Sequence, residues 1–113
     1  MTREDILDKA KECVCGKRVT DYGKPEDNFM KIARLWNAYL DTPLIDAKDV
    51  AIMMALLKIA RIKGGNGSDD SFVDLAGYAA CAGEIDEMEK KAGNFGSISE
   101  AIQNSMSLRR SDI

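Results

Sequence analysis

Histidine is absent from all 113 residues, so one chain by itself supports no Ser–His, Cys–His or other imidazole acid–base mechanism. Cysteine is scarce and odd in number. Cys13, Cys15 and Cys81 do not make a disulfide framework, and a lone Cys-x-Cys without histidine or a second pair falls short of a zinc site. Long apolar runs are missing too: the longest, Val50 to Leu57, is well under the roughly 20 residues that cross a bilayer. There is no excess of positive charge, with 16 Lys and Arg against 19 Asp and Glu, a net charge of −3. No global basic field invites a nucleic-acid backbone. The N-terminus, Met-Thr-Arg-Glu-Asp, carries acids where a secretory signal needs a basic and then an apolar stretch, which predicts a cytoplasmic protein with reduced thiols. What is left to the chain is carboxylate, lysine or metal chemistry, or plain binding.

What is present reads as helix. The 45% apolar and 31% charged residues suffice for one domain over 1–113, with a core over about 2–92 and a C-terminal helix or tail over 97–113. Thr2-x-x-Asp5 resembles a capping box, and Ile6, Leu7, Ala10 and Cys13 follow at helical spacing until Gly16. A polar stretch, Lys17 to Lys24, leads to Pro25, whose missing N–H costs nothing at a helix start where Glu26 and Asp27 suit the dipole. Phe29, Ile32, Ala33, Trp36 and Leu40 share one face of this second helix, which ends at Asp41-Thr42-Pro43.

Asp46 is placed to cap a third helix, with Asp49 in its first turn, that runs to Ile62 and is apolar almost all round. That pattern predicts a central, buried helix. Gly64-Gly65-Asn66-Gly67-Ser68 breaks it, and a fourth helix follows over about 71–91. Ser97 to Leu108 offers a short amphipathic helix. With no alternating strand pattern, the fold class is all-α, a bundle of four main helices, and so apolar a centre in so small a chain predicts a homo-oligomer.

Lys58 and Arg61 are the only charges of the third helix after its first turn, three residues apart and so on one side of it. Asp70 and Asp74 are four apart on the fourth helix. An antiparallel hairpin across the glycine loop brings Arg61 level with Asp70 and Lys58 with Asp74. The plainer reading is a pair of interhelical salt bridges. The sharper one is a site in which Arg61 and Lys58 hold a phosphate while the two aspartates orient them or bind a metal. Near Asp21-Tyr22-Gly23 and the start of the second helix, Tyr22 or Trp36 can pack on a base while Glu26 or Asn28 reads its edge. Capping and solvation explain the same acids, and Trp36 fits a core. Tyr78, beside Asp74, is a candidate wall ending in a hydroxyl.

Asp21-Tyr22-Gly23, Pro25-Glu26-Asp27-Asn28-Phe29, Trp36, Asp49-Val50-Ala51, Lys58-Ile59-Ala60-Arg61 and Asp70-Ser71-Phe72-Val73-Asp74-Leu75-Ala76-Gly77-Tyr78, in this order, resemble a phage and prophage domain family of uncharacterised function. That family in turn is similar to the MazG-type all-α nucleotide pyrophosphohydrolases. The resemblance implies a MazG-like four-helix bundle, Mg²⁺ held by carboxylates from two helices, and a nucleoside triphosphate substrate. The chain departs from the MazG pattern of Glu-Glu-x-x-Glu followed by Glu-x-x-Asp. Lys58 and Arg61 stand where acids belong, and Asp70-x-x-x-Asp74 replaces the second motif. Cations repel Mg²⁺ and attract phosphate directly.

Three functions follow. The first is a phage-type nucleotide-binding protein without catalysis or cofactor, a sponge for a nucleotide signal of host immunity in the host cytoplasm, with Lys58, Arg61, Asp70 and Asp74 on the phosphate and Asn28, Glu26, Tyr22 and Tyr78 on the base or ribose. The second is a Mg²⁺-dependent hydrolase using Asp49, Asp70, Asp74 and Glu26. The third is a helical adaptor whose charges are only internal bridges.

Overall fold

The computed structural model describes residues 1–65 and 68–92, and within them the chain is entirely helical: α1 (Arg3–Cys15), α2 (Lys17–Tyr22), α3 (Pro25–Leu40), α4 (Ala47–Lys63) and α5 (Asp69–Ala92). The four long helices are those the periodicity predicts. The six-residue α2 is not; it replaces the polar leader expected before Pro25. The expected terminal helix over 97–108 lies outside the described residues. None of the described helices is long and apolar enough to cross a membrane.

The helix starts obey local chemistry. Asp5 N donates to Thr2 Oγ1 at 3.1 Å while Thr2 N donates to Asp5 Oδ2 at 2.9 Å, closing the capping box at α1. Asp46 and Asp49 repeat the device at α4, with reciprocal bonds of 2.8 and 3.1 Å. Between α3 and α4 the chain turns through Asp41 in the left-handed region, φ 54°. Asn37 then fixes the turn from within α3: its amide donates to the Ile45 carbonyl at 2.8 Å and its Oδ1 accepts from Ile45 N at 2.9 Å. This two-point clamp satisfies the backbone just before the α4 cap and sets where α4 begins.

α4 and α5 form the expected antiparallel hairpin and make the most extensive contact in the fold, followed by α1 on α5 and α3 on α4. Two ties at opposite ends of α4 define the register. Lys48 Nζ donates to Asp86 at 3.2 Å and Glu89 at 3.0 Å near one end, and Lys58 Nζ meets Asp74 Oδ2 at 3.0 Å near the other. The core between the helices is built from Phe29, Ala33, Ala47, Val50, Ala51 and Ile85, with Trp36, Ile45, Met54 and Tyr78 packed against it. α1 approaches α5 closely because position 77 is glycine: a Cβ there would lie 3.2 Å from Val14 Cγ1.

α4 corrects one expectation. Only Ala47, Val50 and Ala51 of its apolar residues are buried, while Ile52, Met53, Leu56, Leu57 and Ile59 are exposed. The hairpin has one helix on each flank of the core, so a helix that is apolar all round buries one side and leaves the other in water.

Asn37→Ala removes both hydrogen bonds of the clamp and leaves the Ile45 groups half-buried. At about 1 kcal/mol per bond the loss is about 2 kcal/mol, read as a melting temperature roughly 10 °C lower by calorimetry. The Asp86 carboxyl is held below its ordinary value of 3.8 by hydrogen bonds from Lys90 and then Lys48. A depressed carboxyl adds stability above its unfolded value and loses it as pH falls through the folded one. Lys48→Met therefore makes the melting temperature less sensitive to acid below about pH 4 than in the parent, measured by circular dichroism.

Candidate functional site

A cavity of about 440 Å³ opens where α1, α2, the start of α3, α4 and α5 come together. Each helix contributes for a local reason. α2 is delimited by Gly16 and Gly23, the latter at φ 87°, a conformation that favours glycine, and its Arg18, Val19 and Tyr22 reach the cavity. The backbone leaving α2 is held by Asn28, whose side-chain amide donates to the Tyr22 carbonyl at 3.3 Å. Its Oδ1 accepts no hydrogen bond among the described residues and remains available on the wall. Pro25 and Asn28 bring the first turn of the 16-residue α3 to the rim, where the positive end of a helix dipole favours an anion.

α4 and α5 supply the charged part. Lys58, its side chain only 13% exposed, reaches the cavity alongside its partner Asp74, 37% exposed. Arg18 adds a second cation and makes no ion pair among the described residues. The ionic lining is thus two cations against one carboxylate, with Glu26 and Glu84 near enough to the wall to act on Cys81. Tyr78 forms a further wall, its ring tilted 47° to Phe29 with centroids 6.0 Å apart. Cys13 and Cys81 complete the sulfur-lined side. Burial, reinforced by Glu26 and Glu84, pushes the Cys81 thiol up to about 11. Cys81 stays a neutral thiol at physiological pH and contributes apolar surface, not a nucleophile.

Of the residues singled out in the sequence, the structure brings five together on this cavity: Lys58, Asp74, Asn28, Tyr22 and Tyr78. Glu26 is not on the wall. It sits two residues from Asn28 on the same helix, and such pairs point nearly opposite ways; it lies close enough to Cys81 to raise that thiol. Arg61 and Asp70 are exposed at the loop end of the α4–α5 hairpin, are not bridged to one another, and do not line the cavity. The four-charge cluster expected there is therefore a single pair, Lys58 with Asp74. Trp36 belongs to the core's edge.

The acids of the hydrolase alternative are also dispersed. Asp49 is engaged with Asp46 in the α4 cap, its carboxyl raised by burial, and Asp74 is paired to Lys58. Among the described residues no three carboxylates or thiols converge as a metal ion requires. The donor set does not fit Mg²⁺, which needs several oxygen ligands at octahedral spacing.

Arg18 is the residue that sequence reasoning missed. A signal existed in Val19 and Tyr22, three apart and bracketed by two glycines, which is the pattern of a short helix with one apolar side.

A family model described as a domain of unknown function, DUF6378, matches residues 5–86. The Gene 55 protein of Mycobacterium phage D29 is 46% identical over 84 residues, which cover 74% of this chain and 55% of that protein. The Gene 55 protein of Mycobacterium phage L5 is 43% identical over 84 residues, covering 74% and 52%. The chain spans about half the length of these curated relatives. No solved structure matches it. The family match takes in every residue on the cavity wall, from Cys13 to Cys81, and extends from α1 through most of α5. The chain belongs to the family of the domain of unknown function DUF6378.

Proposed function

We propose that the chain binds a nucleotide-like phosphorylated small molecule in the cavity between α2, α3, α4 and α5 and does not hydrolyse it. The observation that carries this reading is the pair of cations, Arg18 and Lys58, on different walls of one cavity of about 440 Å³, within the range of small-molecule sites. Arg18 presents a planar donor fork with no competing carboxylate among the described residues, and Lys58 a compact cation that Asp74 holds in place. Tyr22 and Tyr78 supply flat faces for a base, and Asn28 Oδ1 accepts from an exocyclic amine. Among the described residues no set of carboxylates is gathered to hold Mg²⁺ and activate water, which favours binding over hydrolysis. On this reading the four long helices form a MazG-type bundle that has exchanged metal-holding acids for phosphate-holding cations. The likeness to phage proteins gives the activity a use, as a homo-oligomeric sponge in the host cytoplasm that withdraws a nucleotide signal of host immunity.

Isothermal titration with linear and cyclic nucleotides tests the proposal. At least one nucleotide binds, and Arg18→Ala and Lys58→Met each weaken it by about tenfold to a hundredfold, the worth of a charged hydrogen bond. No heat from any nucleotide, together with no nucleotide released from heated, cell-expressed protein, overturns it. Phosphate or pyrophosphate release on adding Mg²⁺, abolished in Asp74→Asn, transfers the site to the hydrolase reading. The double variant Lys58→Met with Asp74→Leu should keep its melting temperature, because replacing both members of a partly buried pair leaves no orphaned charge, while losing the nucleotide.

A further inference from the structure

The outer face of α4 carries a second helical stripe that the core does not use. Ile52, Met53, Leu56, Ile59, Ala60 and Lys63 are all exposed and recur at spacings of three and four, the pattern of a helix that packs on another helix. Leu56 at the centre is 57% exposed, and Ile52, Met53 and Ile59 between 42% and 47%. With Leu57 alongside, on the order of 450 Å² of apolar surface lies on one helix face, the size of the largest apolar patch that a monomer leaves in water and one often used for contact. It supplies somewhat more than half of the about 800 Å² that each partner buries in a stable complex, the share of an apolar core inside a polar rim.

The stripe is also self-complementary. Its centre is Leu56, and its two ends carry opposite charges seven residues away on either side: the exposed Lys63, and the half-buried Asp49, whose Oδ2 serves the α4 cap and whose Oδ1 accepts no hydrogen bond among the described residues. A two-fold axis through Leu56 runs two copies of α4 antiparallel. Leu56 then meets its own copy, Met53 meets Ile59, Ile52 meets the small Ala60, and Lys63 meets Asp49. A parallel arrangement would set like charges against each other. Isologous pairing demands this symmetry of one surface with itself. We infer that the exposed stripe of α4, centred on Leu56, is a homodimer interface in which two copies of this chain pair antiparallel. The inference deepens the self-association reading above, rests on it, and is independent of the ligand. At about 100° per residue Lys58 lies roughly 200° around α4 from Leu56, so the pairing leaves the cavity open in both copies.

Two charge-bearing variants of the full chain test it, because Leu56 is exposed enough to change without disturbing the core. The parent sediments at twice 12.4 kDa at about 50 µM. Leu56→Asp and Leu56→Lys each place two like charges on the axis and sediment as monomers with unchanged helical circular dichroism. Mixed in equal amounts, they return to the dimer mass as a heterodimer. Lys63→Glu, farther from the centre, raises the dimer dissociation constant several-fold at low salt, an effect that shrinks in about 0.5 M salt. A monomeric parent overturns both this interface and the self-association reading, and leaves residues 93–113 or another protein to cover the stripe. Dimers that persist in both Leu56 variants overturn the interface alone and move the pairing to another face. Monomers that stay apart on mixing overturn the antiparallel arrangement centred on Leu56.

Discussion

The ammonium of Lys58 meets the carboxylate of Asp74 at 3.0 Å between α4 and α5, and two properties of the protein depend on that contact. It contributes to the register of the hairpin at the end opposite the Lys48 bridges. It also leaves a cation, held in one place, on the wall of a cavity that Arg18 reaches from α2. A mostly buried ammonium is costly without an acid beside it, so Asp74 makes the position tolerable. For the anion proposed to bind there, the cavity offers a charge already oriented and a second, Arg18, that no carboxylate of the described residues occupies. The same pair therefore serves the fold and prepares the site.

The elements around this contact differ in how firmly they are fixed. α3 and α4 are joined by a turn in which Asn37 holds Ile45 at two points and the Asp46–Asp49 box begins the next helix immediately. α2 is different. It has no buried residue, no side-chain hydrogen bond at its N-cap, and glycines at both ends. Helices this short draw little stability from their own hydrogen bonds. The part of the wall that carries Arg18 and Tyr22 is consequently the part least tied to the core, and the part that carries Lys58 and Asp74 is the most firmly anchored. A site with one rigid and one lightly held wall suits capture of a small anion more than the exact positioning that water attack on a phosphate requires.

Much of the fold was legible in the residues. The Thr2 and Asp46 caps, the proline at the start of α3, the glycine break after Lys63 and the apolar spacing each report a local preference that the backbone obeys. The pairing of Lys58 with Asp74 was legible as well, because a short loop forces two adjacent helices antiparallel and thereby sets which residues come level. Arg61 with Asp70 was expected from the same reasoning and fails because both stand at the loop end of the hairpin, in water, where a bridge offers little. α2 was hidden by its polarity, and with it Arg18.

The sequence alone determined the helical class, the positions of the four long helices and one interhelical ion pair, since each follows from chemistry within a few residues or from the shortness of a connection. Tertiary structure decided which side chains share a cavity and which side of α4 stays in water. Those depend on how α1 and α2 fold back over α5, a choice made by packing, such as Val14 against Gly77, between residues more than sixty positions apart. No spacing rule reaches that far. An all-round apolar helix therefore announces that one face is buried, while only the assembled chain tells which.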